Sequence, residues 1–388
     1  MKITAVEAFP APLPLRKPFA IALGTMTHSP NVIVRIATDA GITGYGEAAT
    51  WHVVYGYDQQ SLVHAIETYL GPAVIGMDPF DIEAILSRMD TVLAKNRMAK
   101  AGVETACQDL RGKALGVPLS RLLGGTGAGA VEVLAAIDIM PPDEATAMAK
   151  ELVGKGFRCI KIKVGLDAAQ DIERVRAIRE TVGPAIRLRV DGNQGYDRAS
   201  AMKACRAFEA FDLQWIEQPL PEWDMDGLAA LARTFSTPIA VDESISGIHD
   251  VYRVASIGAA DVINIKIAKC GGITNSLKIA HAAAAMGLPC FLGGCIETGV
   301  GTAAALHFGA CCPNLVPAIE MPGSDVFTED IIVGHFAPDR GMIPLPFGPG
   351  IGVQVREDML EEYRMRSLKP IGRSVHGKEK QPVHRRAS

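Results

Sequence analysis

Residues 159–164 read Cys159-Ile160-Lys161-Ile162-Lys163-Val164, an apolar strand interrupted by two lysines. Four further apolar stretches follow, and each carries an ionisable residue at or near its end: Asp191, Glu217, Asp242 and Lys266. From Lys163 onward the intervals are 28, 26, 25 and 24 residues, which is one strand and one helix each time. Because a parallel barrel brings the C-terminal ends of its strands to one mouth, this spacing predicts a ring of charges there.

The alternation of strands and helices predicts the fold class, an α/β protein with a (β/α)7β-type TIM barrel over residues 130–340. The strand candidates are Val131–Ile139, Cys159–Val164, Ile186–Asp191, Leu213–Glu217, Ile239–Asp242, Val262–Ile267, Pro289–Gly293 and Leu315–Ile319. A doubly wound open sheet is the alternative, but it would carry a glycine-rich phosphate turn after its first strand. Met140-Pro141-Pro142-Asp143 stands at that place instead.

Residues 1–125 show a different order of predicted secondary structure, with strands first and helices later. Asn31–Thr38 and Ile42–Glu47 flank the turn Asp39-Ala40-Gly41 and predict a hairpin. Helical spacing of apolar residues follows between residues 60 and 115. This order predicts an α+β domain over 1–125, completed by about 343–370, and a basic and mobile tail over 371–388.

Composition limits the classes of function. The 388 residues suit one barrel of about 250 residues plus a smaller domain. Lys and Arg number 39 against 43 Asp and Glu, so nothing in the charge favours nucleic acid as a partner. No apolar run approaches the ~20 residues that span a membrane. The eight cysteines form no C-x-x-C pair, which predicts buried thiols and a cytoplasmic location.

The residue types at the predicted mouth favour one chemistry. Asp191, Glu217 and Asp242 form an all-oxygen set that suits Mg²⁺ or Mn²⁺, whereas zinc would want histidine or cysteine. Lys161 and Lys163 lie two apart on a strand and share a face, and a neighbouring ammonium favours a neutral lysine base. A metal and lysines together suit removal of a proton next to a carboxylate through an enediolate. A non-catalytic barrel that binds a metabolite is the alternative from another class.

These motifs resemble those of the enolase superfamily, specifically its muconate lactonising (muconate cycloisomerase) subgroup. The resemblance runs from about residue 3 to 355. It is carried by Lys161-Ile162-Lys163, Asp191-Gly192-Asn193, Glu217-Gln218-Pro219, Asp242-Glu243-Ser244 and Lys266-Ile267-Ala268-Lys269-Cys270-Gly271-Gly272.

The resemblance implies a role for each matching residue. Lys163 would be the acid/base on one face of the substrate, with Lys161 as its electrostatic partner, and Lys266 would act on the opposite face. Asp191, Glu217 and Asp242 would bind the divalent metal. Glu297 matches an acid that relatives carry after the seventh strand. Family members are often homo-oligomers, and the N-terminal domain would cap the barrel.

The same resemblance predicts which residues select the substrate, a small carboxylate. The two capping loops would be residues 18–25 and 46–57. Substrate contacts are expected from His28, Trp51, His52 and Tyr57, although Trp51 and Tyr57 also suit loop packing. Glu320, in Ala318-Ile319-Glu320, resembles the cycloisomerase pattern and lacks the first acid of the Asp-x-Asp that dipeptide epimerases carry.

Lactonisation of a muconate-like dicarboxylate is the reaction favoured first, with Lys163 protonating the enolate. The alternative is a racemase or epimerase of an N-substituted amino acid or dipeptide, which would need Lys163 and Lys266 on opposite faces. Dehydration and o-succinylbenzoate synthesis use the same scaffold. The lysines and the acids do not discriminate among these reactions, because the whole subgroup carries them.

Overall fold

The structure of the protein, a computed structural model, describes residues 1–125, 127–312 and 314–367. The tail predicted at 371–388 and the end of the 343–370 segment lie outside these residues. Among the helices described, none is both long enough and apolar enough to cross a membrane.

The chain begins with an antiparallel sheet of three strands, β1 (Ile3–Ile21), β2 (Gly24–Thr38) and β3 (Thr43–Ala48), in that order. Alternate residues of β2 serve different cores, because successive side chains of a strand point to opposite faces. Val34 and Ile36 are buried against the N-terminal helices, whereas Ile33 is buried in the core of the barrel. The sheet is therefore covered on both sides.

Six helices follow the sheet. They are α1 (His52–Tyr55), α2 (Gln59–His64), α3 (Gly71–Val74), α4 (Ile82–Val92), α5 (Arg97–Leu115) and α6 (Leu119–Leu122), with a π-helical segment, Ala65–Leu70, between α2 and α3. The long helix α5 packs on β3 with no side chain between the two backbones. A Cβ added at Gly46 of β3 would lie 2.1 Å from the Gly102 carbonyl oxygen of α5.

From residue 130, strands and helices alternate. The elements are β4 (Ala130–Glu132), β5 (Ala135–Ile137), α7 (Pro142–Gly154), β6 (Cys159–Lys163), α8 (Ala168–Val182), β7 (Arg187–Asp191), α9 (Arg198–Phe208), β8 (Leu213–Glu217), α10 (Met225–Thr234), β9 (Ile239–Val241), α11 (Ile248–Ile257), β10 (Val262–Ile265), α12 (Ile267–Cys270), α13 (Ile273–Ala285), β11 (Cys290–Leu292), α14 (Gly299–Gly309), β12 (Met342–Pro344) and α15 (Glu357–Ser367), with 3₁₀ turns at Glu209–Phe211 and Ser324–Val326.

Strands β5 to β11 form one parallel sheet of seven strands in chain order. The fold is a TIM-barrel-like α/β fold with an N-terminal capping domain, which confirms the predicted fold class. The predicted strand Leu315–Ile319 is no regular strand. It closes the barrel through isolated bridges, Leu315 to Cys290 and Ile319 to Val133. We call residues 315–319 the eighth stave.

The first predicted barrel strand also differs from the structure. Val131–Ile139 is divided into two short strands, because β4 leaves the barrel and pairs antiparallel with β12. Only β5 joins the parallel sheet.

The C-terminal helix α15 packs on β1 of the capping domain. Arg35 on β2 pairs with Glu7 of β1 at 2.9 Å and with Glu357 of α15. The Tyr45 hydroxyl also bonds Glu357. The residue boundaries given to the two domains stay predictions.

Two buried glutamates of the capping domain bind the N-termini of barrel helices. Glu104 of α5 accepts from the Ile273 and Thr274 amides at the start of α13, at 2.7 and 3.1 Å. Glu47 of β3 accepts from the Thr298 and Gly301 amides at the start of α14, at 2.9 and 2.8 Å. Each carboxylate satisfies free helix amides and complements the positive end of the helix dipole. These contacts fix the cap over the barrel.

Candidate active site

The strand ends of the barrel bring together the charged residues that the spacing singles out. Lys163, Asp191 and Glu217 are direct cross-strand partners at the ends of β6, β7 and β8. Asp242 directly follows β9, and Lys266 directly follows β10. All five are buried, so the ring is enclosed under the cap.

Lys161 is the most enclosed charge of the ring. Its ammonium lies 3.0 Å from Asp191, 2.9 Å from Glu217 and 2.8 Å from Glu320. Burial lowers the pKa of Lys161, but these three carboxylates outweigh burial and hold the pKa well above its usual value. Lys161 is therefore a fixed positive charge.

Lys163 and Lys266 are held in similar ways on opposite sides of the acids. The Lys163 Nζ donates to Asp191 at 2.6 Å and lies 5.9 Å from the centre of the Phe19 ring. The Lys266 Nζ lies 2.7 Å from Asp242 and donates to the Tyr55 hydroxyl at 3.1 Å. Each lysine thus has a carboxylate from the barrel and an aromatic ring from the cap.

The acids are oriented by a further set of polar groups. Lys269 lies 3.1 Å from Asp242 and donates to three buried backbone carbonyls, including that of Asp242 itself. Asn264 donates to Glu217 at 2.8 Å, and the Asn193 amide donates to Asp191 at 2.9 Å. Such partners set the direction in which each carboxylate presents its free oxygen.

The acids were predicted to bind a divalent metal. In the ranges that the structure describes, no group of three acidic, histidine or cysteine side chains converges as a ready-made metal site. Lysine ammoniums lie between the carboxylates, and the assignment of the three ligands stays a prediction.

The donor set nevertheless fits a hard cation. One oxygen of Glu217 and both carboxylate oxygens of Asp242 are buried and face lysine ammoniums at 2.7 to 3.1 Å, with no further hydrogen-bond donor among the described residues. Burial and then Asp191 raise the pKa of Glu217 to about 7, as expected for an anion with too little compensating charge. Oxygen ligands of this kind suit Mg²⁺ or Mn²⁺.

Glu243 lies in the same cluster, although strict alternation of side chains after Asp242 would point it to the opposite face of the strand. Strand β9 ends at Val241, so the alternation of faces no longer applies two residues later. Glu243 accepts from Asn193 at 3.2 Å, and its second oxygen is buried without a partner. Burial, with Asp242, raises the pKa of Glu243 to about 8.

Glu297 and Glu320 follow β11 and the eighth stave. The Glu297 carboxylate accepts from the Cys295 amide at 2.8 Å, its other oxygen is unpartnered, and burial raises its pKa to about 7. It lines a small cavity of about 20 Å³ between cap and barrel. Glu320 joins the ring through Lys161, as given above.

The four residues expected to contact substrate from the cap take different positions. Trp51 is buried with Ile21 and Met26 in an apolar cluster, and Tyr57 packs against the core of the capping domain. His28 and His52 are exposed, and the His28 imidazole contacts the Thr27 hydroxyl. None of these contacts joins the ring of charges, and a role in substrate binding stays a prediction for all four.

Sequence reasoning missed Tyr55, which reaches the ring from the cap. Its hydroxyl contacts Lys266, a residue 211 positions away in the chain. The only signal in the sequence was its place between Trp51 and Tyr57, in the predicted second capping loop.

Comparisons with known proteins agree over most of the chain. Residues 144–359 match the family model of the enolase C-terminal domain-like proteins. Residues 3–124 match that of the mandelate racemase / muconate lactonizing enzyme N-terminal domain.

Three relatives illustrate the similarity. The chain is 36% identical to the N-succinyl-L-Arg/Lys racemase of Bacillus cereus, over 93% of this chain and 98% of that protein. It is 38% identical to the hydrophobic dipeptide epimerase of Enterococcus faecalis, over 91% and 99%. It is 34% identical to muconate cycloisomerase 1 of Rhodococcus opacus, over 94% and 98%.

Solved structures of the first two relatives superpose closely. The racemase matches with a TM-score of 0.90, covering 94% of this chain and 98% of that one, at 35% identity. The epimerase, complexed with Mg and the dipeptide L-Leu-L-Tyr, matches with a TM-score of 0.87, covering 91% and 100%, also at 35% identity.

Proposed function

Because the chain belongs to the mandelate racemase / muconate lactonizing enzyme family of the enolase superfamily, we propose that it racemises or epimerises an N-substituted amino acid or a dipeptide. The similar proteins are racemases, epimerases and cycloisomerases, so the chain is an isomerase. The sequence alone favoured a cycloisomerase first. The racemase and epimerase relatives favour the alternative, and we adopt it.

The single observation that carries the proton transfer of this proposal is the placement of two lysines on opposite sides of the acids, and the choice among the family's reactions rests on the racemase and epimerase relatives. Lys163 comes from β6 and Lys266 from the end of β10, and the three strands between them carry Asp191, Glu217 and Asp242. A substrate held between the two amines can lose its α-proton to one of them, and the planar intermediate that results can receive a proton from the other. That transfer inverts the carbon centre.

The two lysines account for both the proton that is removed and the proton that is returned. The substrate carboxylate lies toward the acids, with its α-carbon between the amines. Lys163 accepts the α-proton as the C–H bond breaks, and the electron pair moves toward the carboxylate. Lys266 returns a proton to the opposite face of the same carbon, and the two lysines exchange roles in the reverse direction.

Asp191, Glu217 and Asp242 would hold the divalent metal. When bound, Mg²⁺ or Mn²⁺ would supply positive charge to the substrate carboxylate and make the α-proton more acidic. Lys161 adds a fixed positive charge beside it. The cap excludes water from this buried ring, which strengthens every charge interaction inside.

The apolar cluster of the cap supports a preference for an uncharged substrate side chain. Ile21, Met26 and Trp51 are buried together, and Phe19 of the same cluster faces Lys163. Phe19 is the member of this cluster that lies beside Lys163, and a charged side chain placed against its ring would lose hydration without gaining a partner. We therefore favour apolar substituents, as in the name of the hydrophobic dipeptide epimerase relative.

The test is proton exchange in D₂O across N-acyl amino acids and dipeptides, with both enantiomers and added Mg²⁺. We expect the wild type to interconvert the enantiomers of apolar members and to incorporate deuterium at the α-carbon. Lys163→Ala and Lys266→Ala should each lower interconversion by about 10²–10⁴-fold or more. Each should keep exchange for one enantiomer only.

Muconate cycloisomerase is the second candidate function, supported by the relative from Rhodococcus opacus. Lactone formation from muconate that survives in Lys266→Ala, without α-proton exchange on any amino acid, would replace the first proposal by the second.

A homo-oligomeric state and a cytoplasmic location belong to the proposal as well. Light scattering during gel filtration tests the former, and cell fractionation tests the latter.

A further inference from the structure

Tyr55 is the residue through which the capping domain touches a proposed catalytic amine by a hydrogen bond. The Lys266 Nζ donates to the Tyr55 hydroxyl at 3.1 Å and lies 5.8 Å from the centre of its ring. The Cys295 thiol contacts the same hydroxyl oxygen at 3.7 Å. The hydroxyl of this cap residue therefore contacts two residues of the barrel, Lys266 and Cys295.

The local structure fixes where Tyr55 points. It is the last residue of α1, a single turn that ends at Gly56 in the left-handed region, with φ of 76°. The turn starts from Trp51, whose carbonyl accepts from the Tyr55 amide at 2.9 Å and whose ring is buried in the apolar cluster. Trp51 thus anchors the turn that presents Tyr55 to the barrel.

Lys266 needs such a contact because its side chain has four rotatable bonds and a compact charge. Asp242 holds the ammonium from one side at 2.7 Å. A second contact, from an element outside the barrel, limits the remaining rotation and fixes the direction of the amine. Within residues 1–125, 127–312 and 314–367, no hydroxyl bonds the Lys163 Nζ, and the centre of the Phe19 ring lies 5.9 Å from it.

Resting on the proposed racemase chemistry, we infer that Tyr55 is a positioning residue for Lys266. Docking of the 51–57 loop then completes the catalytic arrangement on one face of the substrate, while the Lys163 face is held by other contacts. In this role Tyr55 keeps its phenolic proton and transfers none to the substrate. It acts by holding the amine of Lys266 in line with the α-carbon.

The experiment compares α-proton exchange from the two enantiomers of one substrate in D₂O. Lys266→Ala first identifies the enantiomer whose proton faces Lys266, since exchange of that enantiomer is lost. Tyr55→Phe should then slow exchange of the same enantiomer about tenfold and leave the other within twofold of the wild type. Tyr69→Phe, the same change on an exposed tyrosine of the cap, should leave both rates unchanged.

Equal slowing of both enantiomers by Tyr55→Phe, or no slowing of either, would overturn the inference. Absence of exchange in the wild type would instead overturn the proposed function. A second readout decides the role of Tyr55 in that case also. Reductive methylation of the folded protein, quantified by peptide mass spectrometry, should modify Lys266 several-fold faster in Tyr55→Phe and leave Lys163 unchanged. Equal rates at Lys266 in both proteins would refute the contact.

Discussion

At the scale of single residues, Lys161 is the buried cation that compensates most of the acid charge in the barrel. Its side chain is fully buried and meets carboxylates from β7, β8 and the segment after the eighth stave. Removal of one partner from a buried ion cluster leaves uncompensated charge, which costs far more than the pair contributes. Lys161 therefore acts on stability as well as on the substrate.

Lys161→Met is expected to lower the free energy of unfolding by about 3–5 kcal/mol. The methionine fills the space but leaves Asp191, Glu217 and Glu320 without their common cation. Urea unfolding followed by circular dichroism measures the change. Arg176→Met, which removes a cation of an exposed pair on α8, is the matched control and should unfold close to the wild type. An equal midpoint for both variants would contradict the account.

Metal binding is also decided by single residues. Mg²⁺ should raise the melting temperature of the wild type, because a ligand at a hundredfold excess over its Kd stabilises the folded state by about 2.7 kcal/mol. The shift should shrink in Asp191→Asn, Glu217→Gln and Asp242→Asn. Asp197→Asn, at the start of α9, should keep it. Shifts of the same size in all four variants would place the metal elsewhere.

How far single residues can be predicted depends on whether their signal is periodic. Asp191, Glu217 and Asp242 recur at the length of one strand and helix, so the sequence places them at one mouth. Tyr55 approaches Lys266 from the cap, and no period of the sequence connects two domains. Glu243 was missed because the alternation of a strand stops where β9 ends.

At the scale of elements, the eighth stave depends on a buried arginine. Arg189 of β7 donates to the carbonyls of Pro317 and Ala318, both at 2.7 Å, and stacks 3.9 Å from the centre of the Trp215 ring. Ala318 has a φ of 70°, which is not a strand conformation. The guanidinium supplies donors that a regular ladder would otherwise supply.

Arg189→Leu should therefore loosen the stave and the acid that follows it. The two carbonyls lose their donors inside the barrel, and each unpaired group costs about 1–3 kcal/mol. We expect lower stability in urea and a reduced kcat, because Glu320 comes directly after the stave. Arg158→Leu, at the start of β6, is the comparison variant. Unchanged stability and kcat in Arg189→Leu would show that the eighth stave keeps its conformation without Arg189.

The elements were predictable wherever burial and period agree. The strands from β6 to β11 are buried and rich in apolar residues, and the predicted ranges overlap all six. The eighth stave has a similar composition, but its backbone bonds the Arg189 side chain and forms two isolated bridges in place of a regular ladder. The division of β4 from β5 depends on β12, which lies about two hundred residues further along the chain. A local pattern contains neither partner.

At the scale of the whole molecule, His307 connects three parts of the chain. It lies on α14, accepts from the Ser120 amide of α6 at 3.3 Å, and contacts the Ile351 carbonyl at 3.2 Å. One ring nitrogen accepts and the other donates, so the imidazole is neutral. Burial lowers the pKa of His307 from 6.5 to about 4, against a smaller opposing effect of the Ile351 carbonyl.

This residue makes the stability of the protein depend on pH. In the unfolded chain His307 takes up a proton below about pH 6.5, whereas in the folded chain it takes up this proton only near pH 4. The contribution of His307 to stability is therefore complete above pH 6.5 and is lost as the pH drops through this window, by about 3 kcal/mol in total. His307→Gln should flatten the fall in a series of urea titrations, and His281→Gln, exposed on α13, should not. Parallel curves for all three proteins would contradict the assignment.

The position of α15 on β1 has a consequence for synthesis in the cell. Ribosomes deliver the chain from its first residue onward, and the capping sheet emerges long before the helix that covers it. Arg35 and Tyr45 can contact Glu357 only after the whole barrel has been translated. The cap thus gains the contacts of α15 only after the whole barrel has been synthesised.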